Sequence, residues 1–404
     1  MKSFGDNNIR IGYQYYIAVF LVLMCTGYKG LGRFPVQFTM ILLLIFIIMC
    51  LGMKNGDNRY IVRQSTFALY AVHFSILLLT SVHNGESYNI IFIYIMVDIL
   101  AFAVYLFFKK DFNLFVNCYC DVMFFLAGVS LLGHLYTNVL GKMLPFRTSG
   151  GRTWGYALIY CNIVGNDRNC GAFTEPGAFA ELLCIAILFE LFWKKQWKRL
   201  VILIIAMITT YSTVGAVLLI LVILLYEIKQ LNKWFGPVAG VISVVGIACL
   251  VTIGYVYFEQ IIYLLAGLFP SFFGKILRKS VSYTARMEGP RILLQIFCKE
   301  PLFGVGYSNM HNLFLGYTAK VNGIDAPVST LSTGLASFGI GGIIPYIGLL
   351  VGVLEQRTGL SQRIVFALFL WVCLFSQPHL SWMLMTCLSL FLLEDKNCLM
   401  ILNR

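Results

Sequence analysis

Charge is what this chain lacks. Only 12% of its 404 residues are Asp, Glu, Lys or Arg, whereas 59% are hydrophobic, and the mean hydropathy is +0.82. Soluble domains are about a quarter charged, so a soluble globular protein is excluded. The composition is that of a polytopic membrane protein, read as one integral membrane domain over 1–404. The net charge of +12 then reflects juxtamembrane Lys and Arg facing membrane lipids, and it argues for no nucleic-acid partner. Metal-ligand spacing is missing too. The 12 cysteines lie mostly in apolar runs, where cysteine packs as a small hydrophobe, so no metal and no cofactor are expected. Cys161 and Cys170 are the one pair placed to form a disulfide. No small-residue cleavage site follows the polar Lys2–Arg10 segment, so the first apolar stretch reads as a span rather than a signal peptide. No internal repeat relates the two halves, which counts against an inverted-repeat transporter.

What is there is a long series of apolar stretches. A helical span needs about 20 mostly apolar residues. Twelve are expected, at 11–28, 34–52, 66–82, 88–108, 115–139, 176–193, 199–213, 214–228, 236–258, 329–353, 362–376 and 378–394. The seventh and eighth are short and separated only by Tyr211-Ser-Thr213. Basic groups recur on alternate connections: Lys54/Arg59/Arg63, Lys109/Lys110, Lys194/Lys195/Lys198/Arg199, Lys229/Lys233 and Arg357/Arg363. The positive-inside rule places these, and both termini, in the cytoplasm. Lys29 and Arg33 fall on the wrong side of that scheme.

Two long hydrophilic loops, about 141–175 and 259–328, then face outward. They carry arginines that the same rule would not put there: Arg147, Arg152 and Arg168 in the first, Arg278, Arg286 and Arg291 in the second. A guanidinium grips phosphate oxygens in pairs, so external arginines suit an anionic, phosphorylated substrate. Glu175-Pro176 opens the sixth span, where a carboxylate favours the positive end of a helix. In the second loop, Glu259–Lys279 reads as an interfacial helix interrupted at Pro270. A further helix is expected with Pro290 in its first turn, ending in the Glu300–Gly306 turn. His311-Asn312 follows, and His311 is the one histidine in a polar external stretch, able to accept a proton near neutral pH. His73, His134 and His379 lie in or beside helices and read as packed. Asp98 is the deepest charge, an intramembrane carboxylate of the kind that relays protons.

Three pieces in order resemble the O-antigen polymerase and O-antigen ligase superfamily of Wzy-like membrane glycosyltransferases. They are Arg168-x-x-Gly171-x-Phe173-x-Glu175-Pro176-x-x-Phe179-Ala180, then Thr210-Tyr-Ser-Thr213, then Arg286 and Arg291 with Pro301-Leu-Phe-Gly304-Val-Gly306, His311-Asn312 and Gly339-Ile-Gly341-Gly342. Together they cover 168–345. The resemblance implies a GT-C-like helical fold in a bacterial plasma membrane and a metal-independent enzyme. Its donor would be an oligosaccharide on undecaprenyl pyrophosphate, polymerised into O-antigen, capsule or exopolysaccharide, with a chain-length regulator as a possible partner. Arg286, Arg291 and His311 would be catalytic; Arg152, Arg168, Glu175 and Asn312 would bind substrate. A ligase acting on a lipid or protein acceptor is the second reading. A flippase or proton-coupled transporter using Asp98 is the third. The family's arginine-to-glycine loop spacing is met only by Arg278 and Gly289.

Overall fold

The computed structural model describes residues 12–29, 36–52, 62–108, 110–149, 152–157, 159–236, 246, 258–277, 281–318 and 326–403. It is 76% helical. The helices are α1 (Tyr13–Met24), α2 (Val36–Gly52), α3 (Gln64–His83), α4 (Tyr88–Phe107), α5 (Phe112–His134), α6 (Pro176–Phe189), α7 (Trp197–Thr209) and α8 (Thr213–Phe235). After them come α9 (Phe258–Leu268), α10 (Pro270–Leu277), α11 (Val281–Phe297), α12 (Tyr307–Thr318), α13 (Thr330–Phe338), α14 (Ile344–Leu354), α15 (Leu360–Ser376) and α16 (Met383–Glu394). Six stretches are long and apolar enough to cross a membrane: α3, α4, Phe112–Val139, Pro176–Lys194, Thr213–Leu231 and Thr330–Leu354. α1, α15, α16 and Gln37–Cys50 within α2 are shorter apolar helices. Of the expected ninth span, at 236–258, all but residues 236, 246 and 258 lie outside the described residues.

In hydrocarbon every backbone N–H and C=O must be satisfied within the chain, which is why apolar runs of this length become helices. Their packing is graded. α6 is the centre: each residue from Pro176 to Phe189 is buried. Gly177, Ala178, Ala180 and Ala186 keep its surface thin, so α5, α7 and α8 approach closely. α8 is peripheral, with Val217, Ile220 and Ile223 exposed along an outward stripe.

The first loop corrects a purely helical expectation. β1 (Phe146–Ser149), β2 (Arg152–Ala157) and β3 (Tyr160–Ile163) form an antiparallel meander in that order. Trp154, Cys161 and Cys170 make a small core beneath it. Cys161 and Cys170 are both free thiols, so the disulfide is not formed. Instead Cys161 Sγ donates to Phe173 O at 3.3 Å and Cys170 Sγ points to Arg168 O. Lys29 belongs to this end: its N–H donates to Ala172 O and its ammonium lies 5.7 Å from the Trp154 ring centre. That accounts for one of the two basic residues which broke the alternation.

In the second loop α9 and α10 are helical on either side of Phe269, as the break at Pro270 suggested. Pro290 is a correction. It lies inside α11 rather than in a first turn, because the helix already begins at Val281. Proline carries no N–H, so it cannot donate to the carbonyl four residues before it. The Glu300–Gly306 turn docks on α13: Val305 N–H donates to Ala336 O and Gly306 N–H to Ser337 O. A side chain at Gly304, which has φ +65°, would meet the Ser337 backbone at 2.5 Å, so glycine is required there. Glu86 from the α3–α4 turn accepts from the Ser308 N–H and hydroxyl, both at 2.8 Å, holding the start of α12.

The two ends of the bundle are built differently. At one end the Arg63 backbone N–H donates to the Glu394 carboxylate, Arg357 N–H donates to Lys396 O, and Lys229 Nζ points to Ile401 O. The opposite end gathers the β-meander, the 164–175 segment, the α7–α8 turn and the 377–382 break.

Candidate anion-binding site

The site is built where α6 begins. Asn169 is the anchor: its Nδ2 donates to Ser130 Oγ (3.1 Å) and Thr209 Oγ1 (2.9 Å), and its Oδ1 accepts from Gly171 N–H at 2.8 Å. This fixes the neighbouring Arg168, whose Nε donates to Thr210 O at 2.9 Å. That carbonyl is available because α7 stops at Thr209 and Tyr211 takes φ +45° before α8 starts. Glu175 occupies the N-cap of α6 in extended conformation, yet its side chain makes no capping bond. The capping role expected from its position is therefore not taken.

Arg286 reaches the same place from α11. A Cβ added to Gly177 would stand 2.7 Å from Gln377 Nε2, 3.4 Å from an Arg286 terminal nitrogen and 3.9 Å from Ser212 Oγ. Three polar groups from three separate segments therefore converge on the first turn of α6, which itself presents backbone N–H groups and positive dipole. Gln377 Nε2 is buried and has no hydrogen-bond acceptor. Burial pushes both guanidiniums below the ordinary arginine value. For Arg168 the charge of Arg286 acts in the same direction while Glu175 opposes it; for Arg286, Glu175 and Glu181 oppose burial. Arginine remains protonated regardless. The result is a concentrated positive field with Glu175 at its edge, suited to an oxyanion such as a phosphate or diphosphate.

One turn below Gly177 on the same helix face, Glu181 Oε1 lies 2.7 Å from His379 Nε2, and both side chains are sealed from solvent. His379 is held by the break between α15 and α16. Thr330 Oγ1 donates to Gln377 O and accepts from the His379 N–H at 2.6 Å, and Tyr346 donates to His379 O at 3.0 Å. Glu181 is visible in the sequence as a carboxylate at the start of the sixth span, whereas Gln377 and the pairing with His379 are not. Two signals were present: Gly177 and Glu181 are four residues apart on one helix, and Gln377-Pro378-His379 interrupts an apolar run.

The other expected site residues do not gather here. Arg291 is exposed and follows Arg286 by five residues, about 140° around α11. His311 lies on α12 rather than in a polar turn. It is partly buried, and its Nδ1 is enclosed without a hydrogen-bond partner. Asn312 is exposed beside it, and Arg147 is exposed on β1. Arg152 contributes backbone to β2, while its side chain and the whole of Arg278 lie outside the described residues. Asp98 belongs to a separate pair: His73 Nε2 approaches its Oδ2 at 3.2 Å, and His73 Nδ1 bonds the Gly341 carbonyl at 2.8 Å, where the helix breaks between α13 and α14. Comparison with protein-family models, curated proteins and solved structures finds no match to this chain.

Proposed function

We propose that this protein is a membrane glycosyltransferase that polymerises lipid-linked oligosaccharide repeat units, with the α6 entrance as the site for the donor's diphosphate. The convergence of Arg286, Gln377 and Ser212 on Gly177, beside Arg168, carries this reading. In the reaction the bond between the anomeric carbon and the pyrophosphate oxygen breaks while the acceptor's sugar hydroxyl oxygen bonds to that carbon. Negative charge grows on the departing diphosphate, and the two guanidiniums, the Gln377 amide and the first N–H groups of α6 are donors for it. The hydroxyl proton passes to Glu175, the carboxylate at the edge of the same field, or leaves with the diphosphate. His311 remains the family-like base, but no contact among the described residues brings it against Arg168 or Arg286. The donor is undecaprenyl-pyrophosphate-linked glycan, the setting is the outer face of a bacterial plasma membrane with both termini cytoplasmic, and the product is O-antigen, capsule or exopolysaccharide. Purified protein given lipid-linked repeat units tests this. A ladder of longer glycans is expected, transfer to a different acceptor would indicate a ligase, and absence of any covalent product would defeat the reading.

A further inference from the structure

At the far end of α6 lies a cavity of ≈ 560 Å³ between the starts of α7 and α15 and the end of α8. That volume falls within the usual range of about 300–1,000 Å³ for ligand pockets. Lys195, Lys229 and Lys233 line it, together with Trp197 and Gln362, and Glu190 forms part of its wall. None of the three lysines has a carboxylate within ion-pair distance among the described residues; Lys229 Nζ instead points to Ile401 O and rides over the Phe192 ring. Lys195, Lys229 and Lys233 all line the same cavity. Lys195 and Lys233 are exposed and Lys229 is partly buried, so all three ammonium groups are open to an entering anion.

Glu190 adds the opposite requirement. It is 0% exposed and no nitrogen or hydroxyl donor hydrogen-bonds either oxygen. Arg199 and Lys194 act on Glu190 only through their charge, because their hydrogen bonds go to Asp121, and the Cys120 thiol is a weak donor close by. A ligand carrying only negative charge would satisfy the lysines and leave Glu190 as it is. A zwitterion would satisfy both. Trp197, 64% exposed at the rim, is the residue type that sits at headgroup depth in a bilayer.

We propose that this cavity binds the headgroup of an aminophospholipid from the adjacent leaflet, its phosphate among Lys195, Lys229 and Lys233 and its ammonium toward Glu190. The site is independent of the glycan reading and lies at the opposite end of α6 from it.

The test is native mass spectrometry of the full-length, delipidated protein offered phosphatidylethanolamine, phosphatidylglycerol or inorganic phosphate at matched concentrations. Phosphatidylethanolamine should be retained in preference to the other two. Lys229→Gln should weaken that retention about fivefold, the effect of one basic residue at a lipid surface. The isosteric Glu190→Gln should remove the preference for phosphatidylethanolamine while phosphatidylglycerol binding stays. Size-exclusion profiles matching wild type establish that both variants fold, and wild type alone decides the matter if either does not. Equal or better retention of phosphatidylglycerol by wild type would overturn the assignment. So would displacement of the lipid by inorganic phosphate, or lipid retention unchanged in folded Lys229→Gln.

Discussion

Two groups of cations sit at opposite ends of α6 and are built to different ends. At its C-terminal end Lys194 Nζ lies 2.7 Å from Asp121 Oδ1, and Arg199 donates to the same oxygen. These charges are matched within the protein. At the N-terminal end Arg168 and Arg286 press on each other, Arg168 has no carboxylate within ion-pair distance among the described residues, and the Gln377 amide has no acceptor. A closed cluster ties helices together; an open one is available to a ligand. Burial is similar enough that composition alone would not separate them.

Breaking the closed cluster should cost the most stability. Asp121→Ala leaves two cations without their carboxylate, which typically destabilises a buried pair by about 3–5 kcal/mol. The lower end is expected here because Asp121 is still 21% exposed. Thermal unfolding in detergent would show it, and an unchanged midpoint would mean the cluster is not a tie. Glu181→Gln tests the sealed pair beneath the open cluster. It leaves His379 facing an amide, and a loss of about 1–2 kcal/mol is expected in the same assay. Gly177→Ala is smaller still in energy but aimed at the open cluster. A methyl 2.7 Å from Gln377 Nε2 must displace it, so glycan polymerisation should fall about tenfold, equivalent to about 1.4 kcal/mol, with little change in melting. Full activity would show that nothing binds above Gly177. The smallest effect concerns thiols. Burial pushes the Cys161 thiol well above its ordinary value, so it should resist alkylation in folded protein while exposed Cys298 reacts, and reduction of denatured protein should release no additional thiols.

The helices were legible because lipid imposes a length and a composition on anything that crosses it. The β-meander was not legible. Phe146–Ile163 is short, mixed in polarity and stabilised by Trp154 and two cysteines that the sequence offered only as a disulfide. Arg168, Glu175 and Arg286 stand out in the sequence because charge is conspicuous in a chain with so little of it. Arg291 was grouped with Arg286 because both are arginines in one loop, and only the start of α11 at Val281 shows that they point apart. Gln377 and His379 were missed for the opposite reason. A neutral amide and a histidine beside apolar spans look like packing until Thr330, Tyr346 and Glu181 are seen to hold that break against the entrance of α6.

The most direct test compares Arg286→Lys with Arg291→Lys in purified, folded protein, scoring polymer formed from a lipid-linked repeat unit. Lysine keeps the charge but loses the paired donors, and loss of a charged hydrogen bond costs about 1.5–3 kcal/mol, or roughly 10–150-fold. Arg286→Lys should show a deficit in that range, and Arg291→Lys should stay within about twofold of wild type, as exposed substitutions usually do. Equal loss in both variants, or the larger loss in Arg291→Lys, would contradict the assignment of the diphosphate to the α6 entrance.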